Sequence, residues 1–468
     1  MKTKPNVLLI IADDMCYGDL SIANGGTSCT PALDRLAGES VRMTQAYSAS
    51  CVCAPARAAL MTGRYPHRTG VVDLNDFHGL NRLSSPEMTL GDLFAANGYC
   101  TGLVGKWHLG YMAACHPNRR GFREFHGFLG GSGTYWNWRL DHNGATEHAD
   151  GRYLSVALTD YALDFVDGAA AGSDPFFLYL GHYAPHRPLE AEPERLQKYL
   201  DRPGLTPGQA HVYAMIESMD VGIGRVLDRL AELGVLDDTI VIFTSDNGPD
   251  PVSDGALSPV RPNVGLLGTK YQVYEGGIRV PFLARWPHGL PTGAIRHEMI
   301  HFTDVMPTLM SLCGLSRPDG PPLDGVSRAA ALRGEPEQYG HRFWQWNRYY
   351  PIARCNAAMR DGAWKLVYPE IEGTRHMVKG GADLVGKMRN EGSDAIERTP
   401  PPERPVGPTR GAELYDLDAD PSESSNLAAV HPGRLKTMQG ELDRWFEGVM
   451  AECERNFSRV FETGSVQQ

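Results

Sequence analysis

Asn6-Val7-Leu8-Leu9-Ile10-Ile11-Ala12-Asp13-Asp14 is an almost unbroken apolar, branched run that stops at two carboxylates. A strand with one wet face alternates apolar and polar residues. A run without that alternation is the pattern of a strand buried on both faces, as in a parallel sheet covered by helices. The design recurs. Cys100 to Gly105 leads into Lys106-Trp107-His108, Pro175 to Leu180 leads toward His182 and His186, and Thr239 to Thr244 leads into Ser245-Asp246-Asn247-Gly248. Val280 to Ala284 reads as another short strand. Apolar residues at three-to-four spacing predict helices over Leu90–Asn97, Leu154–Val166, Ala210–Leu233 and Asp304–Cys313. Strands alternating with helices predict an α/β fold with a large, mainly parallel sheet flanked by helices. In such sheets ligands bind beyond the carboxyl ends of the strands. The polar groups that end each run are therefore predicted to meet in one crevice.

The texture changes near residue 335. Short alternating segments at Arg342–Trp346, Ala358–Arg360, Trp364–Tyr368 and Glu413–Asp416, then a helical stretch Arg434–Glu452, predict a small antiparallel sheet plus a helix. We read residues 1–335 as the catalytic α/β domain and 336–468 as a smaller C-terminal α+β unit, with a Gly/Pro-rich loop near 371–411.

A chain of 468 residues can hold one large core and an accessory unit. Its formal net charge of -11 provides no basic footprint, which argues against nucleic acid or an anionic membrane as partner. Nine scattered cysteines without Cys-x-x-Cys spacing point to a reducing compartment. The first apolar run is too short and wrongly flanked for a signal peptide or span. A cytoplasmic location is the expectation, unless a leader has been removed.

Cys51-Val52-Cys53-Ala54-Pro55-Ala56-Arg57 runs on to Thr62-Gly63-Arg64. Pro55 suits a first helical turn and Gly63 a stop, which puts Cys53 at a helix N-terminus, where a thiolate, an alkoxide or a bound oxyanion is favoured. A small buried thiol, or a strained pair with Cys51, is the plain alternative. Asp13, Asp14, Asp246 and Asn247 offer three carboxylates and one amide oxygen from two strand ends. That set suits a hard divalent cation, Ca²⁺ before the geometrically stricter Mg²⁺. Lys106, His108, His186 and Lys270 add two cations and two imidazoles, a setting for a compact polyanionic group.

On these residues the chain resembles the type I sulfatases of the alkaline phosphatase superfamily. The resemblance runs in order over roughly residues 6–330, through Ala12-Asp13-Asp14, Cys53-x-Pro55-x-Arg57, Gly105-Lys106-Trp107-His108-Leu109-Gly110, Ala184-Pro185-His186, Ser245-Asp246-Asn247-Gly248, Lys270 and Glu275-Gly276-Gly277-Ile278-Arg279-Val280-Pro281. It implies that Cys53 is oxidised to formylglycine (3-oxoalanine) by a formylglycine-generating enzyme that reads Pro55 and Arg57. It further implies that the aldehyde hydrate is the nucleophile, steadied by Arg57. By the same resemblance Asp13, Asp14, Asp246 and Asn247, together with residue 53, surround one calcium ion, while Lys106, His108, His186 and Lys270 grip the sulfate. Ala56 departs from the family's commoner Ser, so maturation is expected to proceed, but less completely in a foreign host. The chemistry is coherent: a thiol attacking sulfur has no easy exit, whereas a gem-diol attacks through one hydroxyl and expels sulfate through the other. His186 or Lys270 is expected to protonate the leaving oxygen and His108 to act as base in the release.

Two aromatic clusters, containing Trp136, Trp138 and Arg139 and then Trp346 and Arg348, are expected to shape the rest of the pocket for a sulfated carbohydrate or aryl ester. The competing readings are a phosphodiesterase or phosphonate monoester hydrolase of the same superfamily, and a non-catalytic binder of sulfated glycans in which Cys53 remains a thiol.

Overall fold

The run Asn6–Ala12 forms β1, and all seven residues are buried. The computed structural model describes residues 4–75, 79–377 and 407–462. Within them β1 is followed by β2 (Val41–Tyr47), β3 (Cys100–Lys106), β4 (Glu124–Phe128), β5 (Arg139–His142), β6 (Ala145–His148), β7 (Phe176–Gly181), β8 (Thr239–Ser245), β9 (Phe282–Arg285) and β10 (Ile295–His301). These ten strands form one sheet in the order β10-β2-β9-β8-β1-β7-β3-β4-β5-β6. The central strands β8, β1, β7, β3 and β4 are mutually parallel, so their C-terminal ends share one edge.

The absence of alternation in β1 has a direct cause. Val7, Leu9 and Ile11 enter one core with the helices Cys53–Thr62, Leu90–Ala96 and Val305–Cys313, while Leu8, Ile10 and Ala12 enter a second core with Leu154–Ala170 and Pro207–Glu232. Each fully buried Leu or Ile contributes about 1.5–3 kcal/mol relative to exposure, so both faces demand apolar residues. Backbones approach closely near the functional edge. Gly105 of β3 faces Gly181 of β7 and Gly127 of β4 in register. A Cβ on Gly105, whose φ is 102°, would lie 1.9 Å from the Gly181 carbonyl oxygen, so only glycine fits there.

The predicted parallel core is present, with differences at its flank. β9 starts two residues later than the run Val280–Ala284 suggested and pairs antiparallel with both β2 and β8. β2, β4, β5, β6 and β10 were not anticipated: β2 and β10 mix buried and half-exposed or exposed positions, and β5 and β6 are short and largely exposed.

The C-terminal part folds into a four-stranded antiparallel sheet, β11 (Arg342–Gln345), β12 (Ala357–Asp361), β13 (Trp364–Tyr368) and β14 (Glu413–Asp416), with the helix Pro432–Glu462. It is bolted to the large sheet. Trp344 Nε1 donates to the Ser48 carbonyl at 2.7 Å, and the buried Lys365 ammonium lies 2.9 Å from Glu275 and 2.8 Å from Glu423. Of the loop predicted near 371–411, residues 378–406 lie outside the described residues. Among the described residues no helix is long and apolar enough to cross a membrane.

Candidate active site

The site begins with register. Ala12 of β1 faces Ser245 of β8, so Asp13 and Asp14 emerge beside Asp246 and Asn247. Asp246 N–H donates to Ala12 O at 3.1 Å, and Asp14 N–H donates to Asp246 Oδ1 at 3.1 Å. Asp14 has φ 66°, a left-handed conformation that Asp tolerates better than most residues. The carboxylates of Asp13, Asp14 and Asp246 each place an oxygen within 4.8 Å of the others, all buried.

Cys53 is the first residue of the helix Cys53–Thr62, every residue of which is buried, and Gly63 closes it in the left-handed region at φ 70°. Its sulfur lies within 4.8 Å of carboxylate oxygen on Asp13 and ring nitrogen on His186. The helix terminus was expected to favour a thiolate here. Burial instead pushes the Cys53 thiol up to about 12, against the pull of Lys106 and Lys270, so desolvation outweighs the two neighbouring ammonium charges. Cys51 makes no disulfide with it; its carbonyl accepts from Tyr271 N–H at 2.9 Å and so anchors the loop that carries Lys270.

Arg57 lies one turn after Cys53. Its Nε and Nη2 reach Asp246 Oδ2, and its Nη1 donates to the Lys106 carbonyl and the Tyr179 hydroxyl, both at 3.2 Å. Lys106, the last residue of β3, places Nζ 2.5 Å from Asp13 Oδ2. Lys270 Nζ sits 2.7 and 2.8 Å from the two oxygens of Asp14. Burial opposes the ionised form of Asp14, but Lys270 and His186 overcome it and hold the carboxyl well below its ordinary value. Burial, with the charge of Asp13, pushes Asp246 the other way.

Both histidines are poised by backbone carbonyls. His108, at φ 64°, has Nε2 2.6 Å from Leu74 O. A carbonyl only accepts, so Nε2 carries the proton, and Nδ1 has no partner among the described residues. Gly131 gives the ring its room, since a Cβ there would stand 2.3 Å from His108 Cε1. His186 Nδ1 is 2.6 Å from Arg187 O, which leaves Nε2 3.7 Å from Asp14 Oδ2. Burial and then Lys270 lower His186 to about 3; burial and Lys106 lower His108 well below the imidazole range.

The donor set fits a hard divalent cation. Three carboxylates converge, and two buried acceptors at this cluster, Oδ1 of Asp13 itself and Oδ1 of the neighbouring Asn247, have no hydrogen-bond donor among the described residues. Buried acceptors are nearly always satisfied, and oxygen ligands are what calcium takes.

Above this floor opens a cavity of about 430 Å³, lined by Cys53, His108, His186 and Lys270 below and by Glu190, Asp254, Arg187, Arg348, Ser132 and Thr134 around it. Trp136, Trp138 and Arg139 do not line it, which corrects the first aromatic cluster. Trp138 is buried with Nε1 donating to Arg152 O at 2.9 Å, the half-exposed Trp136 packs on Tyr153, and Arg139 reaches Thr146 on the β5–β6 hairpin. Arg348 does line the cavity, tethered by Asp73 at 2.8 Å, whereas Trp346 is buried behind Tyr271, ring centroids 5.6 Å apart. Sequence reasoning missed Asp250, which holds Arg187 at 3.0 Å, as well as Tyr179, Glu190 and Asp254. Each is a single polar residue without a motif of its own.

A model of the sulfatase family matches residues 5–315, and one for the C-terminal region of N-sulphoglucosamine sulphohydrolase matches residues 266–372. N-acetylgalactosamine-6-sulfatase from Canis lupus familiaris is 33% identical, over 70% of this chain and 66% of its own length. Human arylsulfatase A is 32% identical over 90% of this chain and 83% of its own. Among solved structures, Ps i-CgsB in complex with k-i-k-neocarrahexaose superposes with a TM-score of 0.79 at 28% identity, covering 98% of this chain and all of that one.

Proposed function

The chain belongs to the sulfatase family, and on that premise we propose that it hydrolyses a sulfate ester of a carbohydrate, using residue 53 as formylglycine and one calcium ion. The observation that carries this reading is the meeting of the Cys53 side chain, the Asp13–Asp14–Asp246 cluster and His186 at the floor of one cavity. Three buried cations, Arg57, Lys106 and Lys270, already offset the three carboxylates. A divalent ion would leave two positive charges in excess, a match for the oxygens of a sulfuryl group.

Asp13, Asp14, Asp246 and Asn247 would hold the calcium, which supplies electrostatic stabilisation of sulfuryl oxygens and favours ionisation of a neighbouring hydroxyl. Residue 53, oxidised to the aldehyde and hydrated, supplies one hydroxyl to attack sulfur and a second through which sulfate departs with the aldehyde restored. Arg57 orients that residue's surroundings by fixing Asp246. Lys106 and Lys270 bind sulfuryl oxygens and hold their positions through Asp13 and Asp14. His186, or Lys270 beside it, delivers a proton to the leaving alcohol oxygen. His108 keeps its Nε2 proton on the Leu74 carbonyl and offers Nδ1 as the acceptor for the release step.

The polar wall of Glu190, Asp254, Arg187, Arg348, Ser132 and Thr134 suits hydroxyl-rich sugar better than an apolar ring. N-acetylgalactosamine-6-sulfatase and the neocarrahexaose-bound relative, by their names, act on or bind carbohydrates. The test pairs mass spectrometry across Cys53, after coexpression with a formylglycine-generating enzyme, with rates on sulfated monosaccharides, aryl sulfate, aryl phosphate and a phosphonate monoester. Aldehyde at residue 53 and a preference for sulfated sugar are expected. A thiol retained in fully active enzyme, or preference for a phosphorus ester, would overturn the reading.

A further inference from the structure

On the far side of the sheet edge, β4, β5 and β6 bring a second group of ligand-type side chains together. His126 of β4 faces His142 of β5 in register. Glu147 of β6 faces Leu140, two residues before His142, so the period-two alternation puts all three side chains on the same face. The imidazoles stack with centroids 3.9 Å apart, and His126 is sandwiched on its other side by Tyr161 of the helix Leu154–Ala170 at 3.6 Å. His126 Nε2 lies 2.7 Å from Glu147 Oε2, and Tyr161 donates to Glu147 Oε1 at 2.8 Å. One ligand atom from each of His126, His142 and Glu147 lies within 4.8 Å of the other two.

We propose that His126, His142 and Glu147 form a second metal site, selective for a borderline divalent transition ion such as Zn²⁺ and separate from the calcium cluster. Two imidazole nitrogens and one carboxylate are a donor set that zinc takes and calcium does not favour. Ligands about 2 Å from a tetrahedral ion stand roughly 3.3 Å apart, so binding requires the exposed His142 ring to swing out of its near-parallel stack on His126 and turn its lone pair to the ion, a side-chain rotation that leaves the strands in register. The ion replaces the His126–Glu147 hydrogen bond, and the fourth position opens to solvent beside the exposed His142. Tyr161 keeps its bond to the outer oxygen of Glu147, the kind of supporting contact that orients a metal-bound carboxylate.

The protonation states suit the role. Burial holds His126 below the usual imidazole value despite its bond to Glu147. Burial opposes the ionised form of Glu147, yet hydrogen bonds from His126 and Tyr161 keep its carboxyl below the ordinary value. A neutral imidazole and an ionised carboxylate are what the metal requires. The position also has a consequence. The segment joining β4 to β5 carries Gly131, Ser132, Gly133 and Thr134 of the cavity wall, so an ion here clamps both roots of that wall to the Leu154–Ala170 helix.

Zinc titration by calorimetry, in saturating Ca²⁺ to occupy the other cluster, tests this on the whole chain, with thermal denaturation in parallel. The expected result is one equivalent of Zn²⁺ and a rise in Tm, with affinity falling at least about tenfold in His142→Ala. Glu147→Gln, whose amide oxygen still accepts from Tyr161 while its NH2 donates to His126 Nε2 in the other tautomer, removes the carboxylate charge without emptying the position and should give the same loss. No zinc uptake beyond calcium-loaded protein, or undiminished stoichiometry and affinity in both variants, would overturn the site.

Discussion

Arg57 Nε and Nη2 stand 2.9 and 2.8 Å from one oxygen of Asp246, with both side chains sealed from solvent. The guanidinium also lies 3.7 Å from Asp13. Removing it leaves two buried carboxylates without their shared counter-charge, a change that costs about 3–5 kcal/mol where buried pairs are broken. Arg57→Ala should lower Tm by several degrees and abolish turnover. Arg57→Lys should restore part of the stability but little of the rate, because a point charge cannot reach Asp246, Tyr179 and the Lys106 carbonyl together. Thermal denaturation and kcat/KM on aryl sulfate measure both, and unchanged values in Arg57→Ala would contradict the role assigned to the pair.

His186 lines the cavity, with Nδ1 tied to Arg187 O at 2.6 Å and Nε2 left 3.7 Å from Asp14 Oδ2. A group that protonates the leaving oxygen matters most when that oxygen is basic. His186→Ala should therefore lose roughly 10²–10⁴-fold on sugar or alkyl sulfates and much less on 4-nitrophenyl sulfate. A penalty equal across leaving groups would transfer the proton to Lys270. The Lys106→Ala penalty should stay uniform, since Lys106 meets the sulfuryl group in every substrate.

Chelation offers a third test. A ligand that binds only the folded state at 100 times its Kd adds about 2.7 kcal/mol. Stripping divalent ions with EGTA should lower both Tm and rate, Ca²⁺ should restore them, and Mg²⁺ should do so less well. Asp14→Asn should erase the calcium-dependent rise in Tm and release Lys270 from its two contacts. A calcium response that survives in Asp14→Asn would remove Asp14 from the ligand set.

How far the sequence reads depends on how locally each feature is encoded. β1 and β8 are legible because burial on both faces erases alternation, and their ends are legible because Asp13, Asp14, Asp246 and Asn247 interrupt apolar runs abruptly. Trp138 misled because an aromatic beside Arg and Asn says nothing of direction: in the fold its indole turns into the core to reach Arg152 O. Glu190 and Asp254 were invisible for a related reason. Their place at the cavity wall is set by the packing of loops, with Glu190 accepting from Tyr135 N–H and Asp254 from Leu189 N–H, contacts 55 and 65 residues apart in sequence. Cys53 was placed correctly at its helix start, but the weight of desolvation on its thiol needed the burial of the whole helix.

Acid sensitivity follows from a histidine far from the chemistry. His67 lies in the short helix Pro66–Thr69, where Nε2 donates to Gln345 Oε1 at 2.8 Å and the ring meets Trp445 and Phe446 of the C-terminal helix edge-on. Its Nδ1 is buried without a partner among the described residues, so a second proton there would meet no acceptor. Burial accordingly lowers His67 from 6.5 to about 4. Between those values the unfolded chain binds a proton that the folded chain refuses, so stability is complete above pH 6.5 and falls as the pH drops toward 4, by up to roughly 3 kcal/mol from this residue. His67→Gln takes away that proton-binding difference. Tm measured from pH 7 to pH 4 at fixed calcium should fall less steeply in the variant than in the parent, and the part that loosens first in the parent should be the Pro432–Glu462 helix against Pro66–Thr69. Parallel pH profiles for the two proteins would show that His67 is not the residue that couples this contact to acid.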